Sequence, residues 1–257
     1  MQKPDRLSSL LNRFELQASA LTDRGDPSAN LLLLGQPEGG LIEQVLFWPA
    51  GVPATDAPTS GPEGKHLVEV ITAAVVSLGG DSNPMARALP ARISMPVAPD
   101  SMVNELAQLI ARETQVPRCG GRSTLQRLLE VLVIMLLRHT IEQGSSQPGL
   151  IAGLADPRIS RALVAIHEAP QRAWRSEQLA DIAGLSRSQF MARFGELVGQ
   201  TPFSYLRQWR LTLARQELAA GARVKAVAAR YGYSSPEALS RAYSQAFGES
   251  PIKAKAG

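Results

Sequence analysis

Apolar residues are spaced in two different ways along the chain. From residue 26 to residue 98 they come as short runs, Leu31–Leu34, Leu41–Trp48 and Leu67–Leu78, set between clusters of Pro and Gly that extend from Pro27 to Gly64. Short apolar runs bounded by turn formers predict strands. The third run carries Val68, Val70, Ile71, Thr72, Val75 and Val76, which suit a pleated surface, and Gly79-Gly80-Asp81 marks its end. Residues 89–97 predict one more short strand, and residues 1–20 read as a short amphipathic segment with Leu7, Leu10, Leu11 and Phe14. Beyond Ser101 the spacing turns helical. Ser101 is a candidate cap, and Met102, Leu106, Leu109 and Ile110 recur on one face. A second helix is expected from about Ser123, with Leu125, Leu128, Leu129, Leu132, Ile134, Met135 and Leu136 around most of its circumference. Such a helix needs more than one neighbour, supplied by its own domain or by a second copy of the chain. Gln143–Gly149 has no apolar face and reads as a linker, which puts a domain boundary at residues 143–156.

The last third of the chain contains a repeat. Leu179-Ala-Asp-Ile-Ala-Gly184-Leu-Ser186, Phe190, Phe194 and Gly199-Gln-Thr-Pro202 match Val227-Ala-Ala-Arg-Tyr-Gly232-Tyr-Ser234, Leu239, Tyr243 and Gly248-Glu-Ser-Pro251, with one extra residue in the second turn. Each copy reads as helix-turn-helix. Ala180 and Ala228 let two helices cross closely, and Gly184 and Gly232 end the first helix in the left-handed region. Ser186 and Ser235 supply a hydroxyl to cap the second helix. Phe190/Phe194 and Leu239/Tyr243 form an i, i+4 apolar stripe. Thr201-Pro202 and Ser250-Pro251 then give a cap followed by Pro at the first helical position. Between the copies, Phe203–Ala219 predicts a helix of roughly 25 Å at about 1.5 Å per residue. A spacer of that length suits two reading helices set about one duplex turn apart, ~34 Å, with some bending of the DNA.

Charge divides along the same boundary. The chain has 257 residues and a net charge of +4, but residues 156–257 hold 15 Lys and Arg against 8 Asp and Glu, whereas residues 1–155 hold 12 against 15. A basic half carrying a helix-turn-helix repeat points to nucleic acid, although a solvated face or a plain helical bundle has the same charge. One cysteine, Cys119, excludes an internal disulfide framework. No apolar run reaches the ~20 residues of a membrane span, and the first residues lack a signal-peptide pattern. No enzyme activity and no cofactor are expected. His66, His139 and His167 lie on separate segments without ligand spacing, and Gly35-Gln-Pro-Glu-Gly-Gly40 lacks the Lys-Ser/Thr of a phosphate loop. Cys119, beside Arg118, is a candidate redox thiol or a plain structural cysteine.

The stretch Trp174–Lys253, and above all Ala228-Ala-Arg-Tyr-Gly-Tyr-Ser-Ser-Pro-Glu-Ala-Leu-Ser-Arg-Ala-Tyr-Ser-Gln-Ala-Phe-Gly-Glu-Ser-Pro251, resembles the DNA-binding domain of AraC/XylS-type transcription regulators. The resemblance continues upstream through Asp156–His167 and, more loosely, Ala88–Arg138, as in members with a cupin-type regulatory half. It implies an α+β chain. A small, reduced cupin-like β region (1–98) and a helical hairpin (101–142) would form a regulatory domain over 1–142. A linker at 143–155 and an all-α tandem helix-turn-helix domain over 156–257 would follow. By resemblance, DNA is read by Ser188, Met191 and Ala192 on the first recognition helix, with Arg187 near the phosphates. On the second, the readers would be Pro236, Glu237, Ala238, Ser240 and Arg241. Arg241 can fork onto guanine or contact a phosphate, and Glu237 can accept from cytosine or complement a helix N-terminus. Arg210 is expected to pack or to form an ion pair. Met191 and Ala192 are poor hydrogen-bonding readers, so the first helix would contribute shape and position. The implied partners are double-stranded promoter or operator DNA, a second copy of the chain through 101–142, RNA polymerase and a small-molecule effector, in the cytoplasm. A protein–protein adaptor with a degenerate repeat, and a cupin-like enzyme fused to a helical domain, remain the alternatives at this point.

Overall fold

The computed structural model describes residues 5–36, 41–51, 69–79, 83–116 and 118–251. His66, the Pro/Gly-rich stretch after Gly51, residues 37–40, the turn at Gly80-Asp81 and the helix expected after Ser250-Pro251 lie outside the described residues. In chain order the elements are α1 (Ser8–Leu11), β1 (Gln17–Ala20), β2 (Leu31–Gly35), β3 (Ile42–Phe47), β4 (Glu69–Ser77), α2 (Pro84–Ala88), β5 (Ile93–Pro96), α3 (Met102–Gln115), α4 (Gly121–Gln143), α5 (Leu150–Ala155), α6 (Ile159–Glu168), α7 (Ser176–Ala183), α8 (Arg187–Val198), α9 (Pro202–Ala219), α10 (Val224–Arg230) and α11 (Pro236–Phe247). The chain forms two units. One is Phe14–Asp81 with Met85–Gln143; the other is Met1–Arg13, Ser82–Pro84 and Gly144–Gly257.

The first unit is a five-stranded sheet in the order β1-β4-β2-β3-β5, with every neighbouring pair antiparallel. The four leucines of β2 run without a polar interruption because the strand is central and buried along its whole length. On one face Leu32, Leu34, Leu46 and Ala73 pack with Ala29 and Trp48. The alternate residues Leu31, Leu33, Val45 and Phe47 are also buried and form the other face. Asn30 extends the pairing with its side chain: Nδ2 donates to the carbonyl of Val76 (2.9 Å) and Oδ1 accepts from its amide (2.7 Å). α3 and α4 pack as a hairpin against each other and against strands of this sheet. Ser101 caps α3 by accepting from the amide of Asn104. α4 starts at Gly121, two residues before the sequence places it.

Two stretches differ from the sequence reading. The amphipathic segment over 1–20 is a single helical turn, α1, followed by β1. β2 pairs along one edge of β4, and Gln17–Ala20 pair along its opposite edge, from Gln17↔Ser77 to Ala20↔Ala74. Leu7 and Leu10 are buried, and α1 packs on α6, so residues 5–13 go with the C-terminal unit although the sequence groups them with the N-terminal half.

In the second unit the stretch read as linker holds a helix. Leu150, Ile151, Ala152, Gly153 and Leu154 of α5 are buried. A β-carbon at Gly153 would sit 2.8 Å from the Leu163 side chain and 2.9 Å from Val198, so the helix can approach α6 and α8 only with glycine there. Helices α7 and α8 form the first helix-turn-helix, α10 and α11 the second, and α9 packs against both. Gly184 turns the chain at φ +67°, and Gly199 and Gly248 end α8 and α11 in the same region. Ser186, Thr201 and Ser235 each accept an amide proton at the start of the following helix, a contribution of about 1 kcal/mol apiece. Phe190, Phe194, Tyr205, Trp209, Leu239 and Tyr243 are buried, with the ring of Phe194 set edge-on at 6.0 Å from Tyr205.

Candidate nucleic-acid interface

Burying Phe190, Phe194 and Val198 turns the opposite side of α8 outward, so Arg187, Ser188, Ala192 and Arg193 are exposed and Met191 is half-buried. Most long polar side chains on that face are already engaged. Arg187 donates from Nε to Ser176 Oγ (3.0 Å) and pairs with Glu177 (3.2 Å), both in the first turn of α7. Gln189 closes a capping box with Ser186. Arg193 grips Asp156 with Nε at 3.0 Å and a terminal nitrogen at 2.5 Å. The Arg187 pair is solvent-exposed and contributes little to stability, so a phosphate can compete for that guanidinium.

Asp156 is a residue the sequence reading did not single out. Its carboxylate is buried and also accepts from the amides of Arg158 (2.9 Å) and Ile159 (2.8 Å), capping α6. Burial works against ionisation, but Arg193 and the two amides outweigh it and hold the carboxyl below the usual carboxylate range. Asp156 thereby anchors α8 to the start of α6. The legible signal is Asp-Pro-Arg directly before an apolar periodic run.

On α11, Leu239 and Tyr243 face inward, and Glu237, Arg241, Ser244 and Gln245 are exposed at i, i+4, i+7 and i+8. Hydrogen bonds to Ser235 and to its own amide, with Arg241 one turn on, hold the Glu237 carboxyl below its usual range. Arg241 makes no ion pair within 4 Å among the described residues. Ser240 directs its hydroxyl to the carbonyl of Pro236 (2.8 Å), its own helix. Pro236 and Ala238 are half-buried, and the amide of Ala238 donates to the Ser235 hydroxyl. Ser244 and Gln245 share the exposed face with Arg241 but were missed from sequence; Gln245 accepts from Arg207 of α9 (2.9 Å). Arg210 has a packing role: it donates to the carbonyls of Pro170 (2.6 Å) and Arg172 (2.9 Å), tying α9 to the loop after α6.

His167 is fully buried in this unit. Its Nε2 shares a 2.6 Å hydrogen bond with the Tyr205 hydroxyl, and its ring lies 4.4 Å from that of Trp209. Burial, with a smaller push from Arg13, lowers its pKa to about 3. Cys119 is exposed in the other unit, in the turn before α4. Among the described residues no three His, Cys, Asp or Glu converge as for a metal ion, and no helix is long and apolar enough to cross a membrane.

The geometry agrees with comparisons to known proteins. A family model described as Helix-turn-helix domain matches residues 179–256, and one described as Cupin matches residues 30–142. The HTH-type transcriptional regulator AlkR of Acinetobacter baylyi is 35% identical over 174 residues, covering 66% of this chain and 57% of AlkR. A putative AraC-like transcription regulator of Streptomyces lividans is 39% identical over 128 residues, 49% of this chain and 42% of that protein. The chain thus spans about half the length of these curated relatives. Among solved structures, the DNA-binding domain of AdpA in complex with a target DNA is 32% identical, with a TM-score of 0.35; the match covers 39% of this chain and 91% of that one. The chain is thus similar to AraC-like transcription regulators, with a cupin match in its N-terminal half and a helix-turn-helix match in its C-terminal half.

Proposed function

We propose that the chain is a sequence-specific DNA-binding transcriptional regulator, acting in the cytoplasm by binding rather than catalysis. Its two recognition helices enter successive major grooves, and a signal received by the N-terminal unit controls it. The observation that carries this reading is the exposed face of α11, where Arg241 stands with no ion pair among the described residues. Its guanidinium can take guanine O6 and N7 together. The two helices divide the work. α11 reads bases through Arg241 and Glu237, with Pro236, Ala238 and Ser240 shaping its approach. α8 contributes position through Arg187 and Ser188, and methyl and shape contact through Met191 and Ala192. The chain pairs with a second copy through α3, where Met102 and Leu109 are exposed seven residues apart on one side, with exposed Val116 just past the helix end.

Fluorescence anisotropy on duplex DNA from upstream of the chain's own gene tests this, with unrelated duplex as competitor and several salt concentrations. Preference for the native duplex, weakening steeply with salt, is expected. Arg241→Ala should weaken specific binding by about tenfold, the ~1–3 kcal/mol of a bidentate base contact. No binding at low salt overturns the reading. That result would favour a protein–protein adaptor, which the apolar Met191 and Ala192 on the outer side of α8 would suit.

A further inference from the structure

The N-terminal unit contains a cleft of 740 Å³ between β1, β4, the end of α3 and the start of α4. That volume suits a small molecule. Its lining is strongly biased in charge: Arg24, Arg118 and Arg122 against the single carboxylate of Glu113. None of the three arginines has an ion pair within 4 Å among the described residues. One carboxylate already rests where α4 begins. A Glu113 oxygen lies 3.0 Å from the position a β-carbon on Gly121 would take, so the glycine leaves room for an anion beside the first turn of this 23-residue helix. Three cations against that one anion leave an excess of two positive charges. Thr72 of β4 also lines the cleft. It is fully buried, and its hydroxyl has no hydrogen-bond partner, an arrangement that costs free energy unless something else satisfies the group. Leu21 and Leu125 add apolar wall.

We infer that this cleft binds a small organic anion, a phosphate or carboxylate attached to a compact apolar group. The guanidinium groups of Arg118, Arg122 and Arg24 hold the charged end. The Thr72 hydroxyl gains its missing partner, and Leu21 and Leu125 cover the apolar part. The inference deepens the regulatory reading by giving the N-terminal unit a ligand class. Binding itself is measured without DNA, so its failure and the failure of DNA reading are told apart.

The test is isothermal titration calorimetry of the full chain with phenyl phosphate, phenylacetate and the uncharged 2-phenylethanol. Saturable binding of a charged probe, at least tenfold tighter than 2-phenylethanol, is expected. Phenyl phosphate ahead of phenylacetate assigns the site to phosphates, and the reverse order assigns it to carboxylates. The double variant Arg118→Ala/Arg122→Ala should weaken the preferred probe at least tenfold while melting within a degree or two of the parent. Thr72→Val should weaken it several-fold yet raise the melting temperature of the ligand-free chain, because a buried unpaired hydroxyl is removed. A merely structural threonine would move only the melting temperature. No saturable binding of either charged probe, equal binding of 2-phenylethanol, or undiminished affinity in the double variant overturns the inference.

Discussion

His167 makes the C-terminal unit sensitive to acid in a calculable way. The ring is fully buried, and its pKa falls from about 6.5 in an unfolded chain to about 3 in the folded one. A folded pKa below the unfolded one means that the unfolded chain takes up the proton first. The stabilising effect is therefore complete above pH 6.5 and is lost as pH falls toward 3. At about 1.36 kcal/mol per pKa unit, His167 alone removes about 2 kcal/mol between pH 7.5 and pH 5, a large share of the ~5–15 kcal/mol that holds an ordinary domain together. Asp156 titrates below the usual carboxylate range and so acts lower on the pH scale, which leaves pH 5–7 to histidine. Urea denaturation at pH 7.5, 6 and 5, followed by tryptophan fluorescence, gives the slope, with Trp209 4.4 Å from the imidazole as the reporter. His167→Gln removes the titration while keeping a group able to bond the Tyr205 hydroxyl. The variant should start less stable but lose about 2 kcal/mol less over the same range. Equal losses in parent and variant would refute the buried neutral imidazole.

Asp156→Ala removes the α6 cap and the partner of Arg193 together. Thermal denaturation should show a loss of about 2 kcal/mol, and Arg193→Ala should show less because the two amide bonds to the carboxylate remain; a loss under about 0.5 kcal/mol for Asp156→Ala would contradict the anchor. Leu109→Glu places a charge on the exposed side of α3 without touching a buried residue. It should shift the chain from dimer to monomer in sedimentation velocity with little change in melting temperature, and an unchanged sedimentation coefficient would exclude that surface as the pairing face.

The tandem helix-turn-helix was legible because its signals are local. Gly184 and Gly232 need φ near +70°, Ser186 and Ser235 cap the next helix within three residues, and Phe190/Phe194 and Leu239/Tyr243 repeat one turn apart. The same holds for the run of leucines in β2 and for the cap at Ser101. The linker reading missed α5 because its helix is set by distant neighbours. Gly153 reads as a breaker in one dimension and is a contact with Leu163 and Val198 in three. β1 is four residues of small and polar type, and only the edge of β4 opposite β2 makes it a strand. The candidate DNA readers were named from sequence, but their availability was not. Arg187, Arg193, Arg207 and Arg210 look alike as letters, and partners up to 40 residues away decide that Arg193 and Arg210 are held by their own unit while Arg241 stands open. Sequence by itself determined the helix-turn-helix repeat, its caps and the basic half, since each rests on residues within a few positions of one another. Tertiary structure alone decided which guanidinium groups are free, why His167 stays neutral and where a cleft rich in arginine opens, because charge pairing, burial and cavities depend on chain segments that meet only after folding.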